Sequence, residues 1–188
     1  MAGTVPVRRS GQRLRPARRD ATQELLVEVL IRPFRPDDLD GLFVLDYRCY
    51  APPFRFSYQQ LLLTLQQVGV SALVIEGERK GDVIGGLIMR GEPGARRAAI
   101  VSLMVDPAYR RAGLGARLLG RAADYARNSQ WEAVVVPVER ENADAAAFLS
   151  VQGFTDTGMG QPYFESPEHG SLWRLDLQAA AAAEESAP

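Results

Sequence analysis

The chain has 188 residues, 46% of them apolar and 24% charged, with a net charge of −1, the balance of one globular domain with room for a core. No apolar run nears the roughly 20 residues needed to cross a bilayer, so no membrane role is expected. A single cysteine, Cys49, excludes an internal disulfide and suits a reducing, cytoplasmic compartment, and with His169 as the one histidine a Cys/His zinc site has too few ligands, so no metal is expected.

Charge is unevenly placed. Residues 1–20 carry six arginines against Asp20, which leaves the remainder at net −6. With Pro6, Gly11 and Pro16 and no apolar period, residues 1–24 read as a disordered Arg-rich arm, the one segment suited to RNA or another acidic partner. The domain is expected over 25–178, followed by a disordered Ala-rich tail over 179–188.

Leu26 to Ile31 alternates as a first strand, ended by Arg32-Pro33. Asp37, Asp38 and Asp40 sit where acids favour a helix start, and Leu39, Leu42, Leu45 and Cys49 follow at helical spacing to about Tyr50. Ala51-Pro52-Pro53 breaks this helix. A second helix is expected from the N-cap Ser57 through Leu61, Leu62, Leu65 and Val68 to Gly69. Ser71 to Glu76 and Asp82 to Met89 predict a hairpin, and Ala98 to Val105 a long apolar central strand. A third helix follows, with Leu114, Leu118, Ala122 and Tyr125 on one face. Then come a strand over Ala133 to Val138, an alanine-rich helix over Asn142 to Gln152 closed by Gly153, a strand or hairpin arm from Phe154 to Phe164, and a last strand over Ser171 to Leu177. This order predicts a single-domain α/β fold: a mixed, mostly antiparallel sheet of six to seven strands flanked by about four helices.

The chemistry-bearing segment is Arg110 to Ala116. Gly113 and Gly115 let the backbone approach a ligand closely, and successive N–H groups at a helix start form a concave donor nest at the positive end of the helix dipole. A pyrophosphate fits such a nest, and Arg110 and Arg111 add charge beside it. A P-loop is excluded because Ala116-Arg117 follows the second glycine where Lys-Ser/Thr is required. A dinucleotide fingerprint is excluded because Leu118 stands where its third glycine belongs.

Val105-Asp106-Pro107 followed by Arg110-x-x-Gly-x-Gly resembles the acetyl-CoA motif of the GCN5-related N-acetyltransferase superfamily. Asn142-x-x-Ala-x-x-Phe-Leu-x-x-x-Gly-Phe154 resembles the helix and strand that follow it there, and the similarity covers roughly residues 26–177. The resemblance implies an acyl-CoA N-acyltransferase fold with acetyl-CoA as co-substrate. It implies that the backbone of Leu103, Met104 and Val105 pairs with the pantetheine arm, that the amides from Arg111 through Ala112, Gly113, Leu114 and Gly115 to Ala116 hold the pyrophosphate, and that Asn142 bonds the pantetheine or the next loop. It also implies that the strands around Met104 and Val136 splay apart to admit the thioester.

Within the superfamily the chain is most similar to the bacterial protein N-terminal acetyltransferases, such as the ribosomal-protein-alanine type, through Leu45 to Phe54 and the Asn142–Phe154 spacing. That likeness implies an acceptor groove lined by Pro53, Phe54 and Phe56 on one side and by Tyr163 on the other. The family's proton-donating tyrosine corresponds here to Leu149 and its glutamate base to Pro137. Glu139, two residues on and on the same strand face, can take the base's place. The expected activity is acetyl transfer to a primary amine, a protein N-terminus first. The alternatives are a small-molecule amine as acceptor, or a non-catalytic acyl-CoA-binding module. No feature of the sequence specifies an oligomeric state.

Overall fold

A computed structural model describes residues 29–177 except Pro53, Lys80, Pro93 and residues 159–168. The Arg-rich arm, the Ala-rich tail, residues 26–28 of the first expected strand, the arm towards Phe164, Pro53 and Tyr163 lie outside the described residues. In chain order the elements are β1 (Ile31–Pro33), α1 (Leu39–Cys49), α2 (Tyr58–Leu65), β2 (Val70–Glu76), β3 (Val83–Glu92), β4 (Arg97–Val105), α3 (Leu114–Asn128), β5 (Ala133–Glu139), α4 (Ala143–Val151), β6 (Thr155–Asp156) and β7 (Gly170–Asp176).

The strands form one seven-stranded sheet in the order β1-β2-β3-β4-β5-β7-β6. Every pairing is antiparallel except β4 with β5. Helices cover both faces, as the alternating apolar strands require. On one face Leu42, Leu45 and Leu61 from α1 and α2 pack over Val74, Val83, Ile88 and Met104. On the other, Leu114, Leu118 and Ala122 of α3 and Leu149 of α4 pack over Ile75, Leu87, Ile100 and Val134.

A bulge divides β4. Ile88 faces Ser102 while the next residue, Met89, faces Ile100, so Val101 has no partner on β3. The extra residue shifts the alternation by one. Ala98 and Ile100 point to the α3 face, and beyond the bulge it is Leu103 and Val105 that do so, while Met104 turns to the α1 face.

Several expectations shift at their edges. Pro33 lies inside β1 rather than beyond it, because β1 is an outer strand and proline's missing N–H costs nothing on its open side. Asp38 stands at the N-cap of α1, as expected, but its side chain makes no capping bond to that helix. Its carboxylate takes both Nη atoms of Arg32, at 2.7 and 2.8 Å, and the Arg35 N–H at 2.7 Å. Arg32 also reaches Glu76 at 3.1 Å, which ties β1 to β2. Ser57 caps α2 as expected, here in a reciprocal box with Gln60, yet α2 ends at Leu65 and Val68 is fully exposed. The chain needs the residues up to Gly69 to turn into β2, and the Gly69 carbonyl accepts from Gly91 on β3. Tyr125, expected on the buried face of α3, is 45% exposed, with its hydroxyl 3.0 Å from Ser71 Oγ and its ring edge-on to Trp131.

The Arg32 guanidinium holds the Asp38 carboxyl well below the usual carboxylate range. Asp38 therefore adds stability above the unfolded-state value, near 4, and that contribution is lost as pH falls through the depressed folded-state value. Asp38→Asn should lower unfolding stability by about 2 kcal/mol at pH 7. In denaturant melts the gap from wild type should narrow steadily below about pH 4.

Candidate active site

Asp106 opens the phosphate turn and is 6% exposed. Its N–H bonds the Ile84 carbonyl at 2.9 Å, its Oδ1 accepts from the Ala108 N–H at 2.9 Å, and its Oδ2 takes Arg48 at 2.8 Å. The turn is thereby fixed to the sheet on one side and to α1 on the other. After a short helical turn at Pro107–Tyr109, Arg111 and Gly113 both adopt left-handed backbone, with φ of 66° and 76°. Two left-handed residues on either side of Ala112 thus turn the main chain sharply into α3. Gly113 is the N-cap of α3 and has no side chain to bond the helix's first N–H groups. A Cβ built on Gly113 meets nothing within 4 Å, so the turn borders open space. Gly115 is small for another reason: its Cβ would lie 3.2 Å from the Phe148 ring of α4 and 3.8 Å from Val105.

The strand edge beside this turn is open. The parallel pairing of β4 with β5 stops at Ala99 opposite Val135, and the two strands part beyond it. The bond from Asp106 N to Ile84 O sets the alternation: Met104 turns its main-chain groups to β3, and Leu103 and Val105 turn theirs into the gap. Met104 buries its side chain against α1. The two gap-facing carbonyls already have partners. Leu103 O accepts from the Tyr50 hydroxyl at 2.9 Å, and Val105 O accepts from Arg110 Nε at 3.1 Å and from Cys49 Sγ at 3.4 Å. Ser102 Oγ lies 3.3 Å from the Tyr50 oxygen.

Burial pushes the Tyr50 phenol above its ordinary range, and likewise the Cys49 thiol. Cys49, expected in the core, is half-buried at the edge of this gap. Asn142 is the N-cap of α4, its Oδ1 accepting from the Ala145 N–H at 3.1 Å, so the carboxamide oxygen is committed to the helix. Leu149 is packed in the core at 2% exposure, and Pro137 is held in the β5–β7 ladder opposite Leu172. Glu139 ends β5 opposite Gly170, half-buried, and desolvation followed by repulsion from Glu141 raises its carboxyl above the ordinary range. His169 is exposed, as expected, and its carbonyl accepts from Arg140 N–H.

The loop from α1 to α2 is stitched down. Arg55 Nε bonds the Tyr50 carbonyl, its guanidinium lies 3.9 Å over the Tyr47 ring, and the Phe56 N–H donates to Asp46 Oδ2 at 3.0 Å. Phe54 and Phe56, with Gln60, Leu63 and Thr64, line an open groove of about 470 Å³ bounded by the loop and α2 rather than by β4. Asp46 is fully buried, and its Oδ1 has no hydrogen-bond partner. Tyr50 and Asp46 both lie in the Leu45–Phe54 segment, but sequence reasoning gave neither a role, since their contacts arise from a loop folding back on its own helix.

An anion nest at a helix start, opening onto an unpaired strand edge, can hold a carrier that ends in phosphates and lay its arm along the sheet. Residues 39–154 match the model of the Acetyltransferase (GNAT) family, and the chain belongs to that family. It is by class an acetyl-CoA-dependent N-acetyltransferase. No curated protein matches the chain in sequence. Among solved structures it is similar to the ribosomal-protein-S18-alanine N-acetyltransferase from Escherichia coli, at 20% identity and a TM-score of 0.65 over 79% of this chain and 93% of that one. PaiA N-acetyltransferase from Thermoplasma acidophilum, in complex with coenzyme A, gives 16%, 0.66, 79% and 98%. A chimeric spermidine N-acetyltransferase SpeG from Vibrio cholerae and hSSAT gives 15%, 0.64, 81% and 99%. At these identities the likeness establishes the fold.

Desolvation raises the Asp46 carboxyl, so the folded protein holds that proton to higher pH than the unfolded chain does. Stability is then unpenalised below about pH 4 and is lost as pH rises through the raised folded-state value. Asp46→Asn keeps an acceptor for Phe56 and removes the charge. It should melt higher than wild type at pH 8, by on the order of 1 kcal/mol, and equal it near pH 4.

Proposed function

We propose that this enzyme acetylates a primary amine, and most readily the α-amino group of a polypeptide N-terminus. The observation that carries the coenzyme half is the gap at Leu103 and Val105, which starts beside the nest and closes at Ala99. When bound, acetyl-CoA supplies a thioester carbonyl open to attack by a neutral amine. The amides from Arg111 to Ala116 hold its pyrophosphate, with Arg110 and Arg111 adding positive charge. The main chain of Leu103 and Val105 runs beside its arm, and Asn142 orders the start of α4 alongside. A backbone N–H near Val105 faces the developing oxyanion. Phe54 and Phe56 border the acceptor.

The acceptor half rests on the shortage of bases. An α-amine with pKa about 8 needs about 1 kcal/mol to lose its proton at pH 7, whereas a lysine near 10.4 needs about 5. With Pro137 at the family's base position, Glu139 is the carboxylate left on that face of β5, and its raised pKa makes it a better proton acceptor than an ordinary glutamate. Such a base suits a weakly basic amine.

Calorimetric titration with acetyl-CoA tests the first half: wild type should bind and Gly113→Glu, which drives an anion into the nest, should lose at least about ten-fold in affinity. A panel of N-terminal peptides, acetyl-lysine-type acceptors with a free side-chain amine, and polyamines tests the second. A first-residue preference supports the proposal, and turnover confined to polyamines makes the enzyme a small-molecule transferase. Glu139→Gln should reduce kcat/KM roughly 10²-fold. In wild type the acid limb of the pH–rate profile should fall at a pH above the ordinary glutamate range, and the variant should lose that limb.

A further inference from the structure

We propose that Tyr50 is the proton donor to the departing sulfur, acting from the end of α1 instead of from α4. The proposal rests on the acetyl-CoA reading of the gap. The gap has an entrance and a closed end: it begins at Val105 beside the nest and ends where β4 and β5 pair at Ala99 and Val135. A carrier anchored by its phosphates at the entrance must place its far, reacting end deeper, past Val105. The donors that reach the gap divide along its length. Arg110 and Cys49 bond Val105 O, at the entrance. Tyr50 bonds Leu103 O, two residues further in, at 2.9 Å, with Ser102 Oγ 3.3 Å from its oxygen.

Each rival donor is less suited. Leu149 is a core hydrocarbon. The Arg110 guanidinium bonds Val105 O at the entrance, and its charge belongs with phosphate. Ser102 is 5% exposed and engages Tyr50 itself. The Cys49 thiol sits at the wrong end. The Tyr50 hydroxyl, kept protonated by its surroundings, is aimed at a carbonyl that turns into the gap, so a small swing exchanges that carbonyl for the sulfur.

The step balances without any further reactant. A bond forms between the acceptor nitrogen and the acetyl carbon as the carbon–sulfur bond breaks. The sulfur takes the bonding pair and the Tyr50 proton, leaving as a thiol. The proton lost by the acceptor nitrogen, relayed through base or solvent, refills the tyrosinate.

The test uses the full chain and its Tyr50→Phe variant, with coenzyme A and acetyl-CoA as probes. First, both proteins are titrated with coenzyme A by calorimetry. Next, the ionisation of the bound thiol is followed by its thiolate ultraviolet absorbance against pH. A hydroxyl donating to the sulfur favours the thiolate, so the midpoint should rise by about one pH unit in the variant while coenzyme A still binds. Turnover with the best amine should drop on the order of 10²-fold in kcat, with KM for acetyl-CoA little changed. Ser102→Ala, which removes only the contact to the Tyr50 oxygen, should move the midpoint in the same direction by less, and it serves where Tyr50→Phe melts early. An unchanged midpoint and kcat in a variant that binds coenzyme A would overturn the role of Tyr50. Failure of folded wild type to bind coenzyme A at all would overturn the reading of the gap beneath it.

Discussion

One residue too many in β4 governs the geometry around which this protein is arranged. Val101 has no partner on β3, and the strand beyond it is turned by half a pleat relative to the strand before it. Up to Ala99 the strand bonds both neighbours and behaves as the centre of a sheet. Past the bulge it leaves β5 and keeps only β3. Two N–H and two C=O groups, on Leu103 and Val105, thus face a gap, and in a protein interior such groups demand partners. Side chains from outside the sheet meet the two carbonyls. The same half-pleat turn sends Met104 under α1, so the helix that ends at Cys49 and Tyr50 is seated by the strand whose carbonyls those residues bond.

The two halves of the site are built on different principles. The turn and the gap beside it are made from main chain: a turn with two left-handed residues, a helix start without a side-chain cap, and a bare strand edge. Their shape is set by buried packing, with Leu114 in the core, Gly115 against Phe148 and Asp106 bonded in three directions. The groove at Phe54 and Phe56 is made from side chains, on a loop that owes its position to a buried carboxylate and a cation–π contact. Asp46 contributes to that order at a cost, since one of its oxygens is unpaired in a dry environment.

Much of the fold was legible because periodicity and breakers carry it. The amphipathic stripe of α3, the capping box at Ser57 and the glycine after α4 each encode a local rule, and the elements appear close to where those rules place them. What failed to show in the sequence has a common cause. The bulge at Val101 leaves no signature, because an apolar strand with one extra residue still reads as an apolar strand. Pro33 inside β1, the early end of α2 and the exposed Tyr125 all depend on what lies next to them in space. The site divides likewise: the nest is a contiguous motif, whereas Tyr50 and Leu103 lie 53 residues apart and meet only through the seating of α1.

The stitched loop between α1 and α2 has a bearing on how such a protein can change its diet. None of the three contacts that pin the loop involves the phosphate turn or β4; they run from Arg55 and Phe56 back to Tyr47, Tyr50 and Asp46. Substitutions at Phe54 or along the exposed side of α2 can therefore reshape the groove there without disturbing the turn or the gap. A single domain of this construction is free to keep one donor and exchange one customer for another.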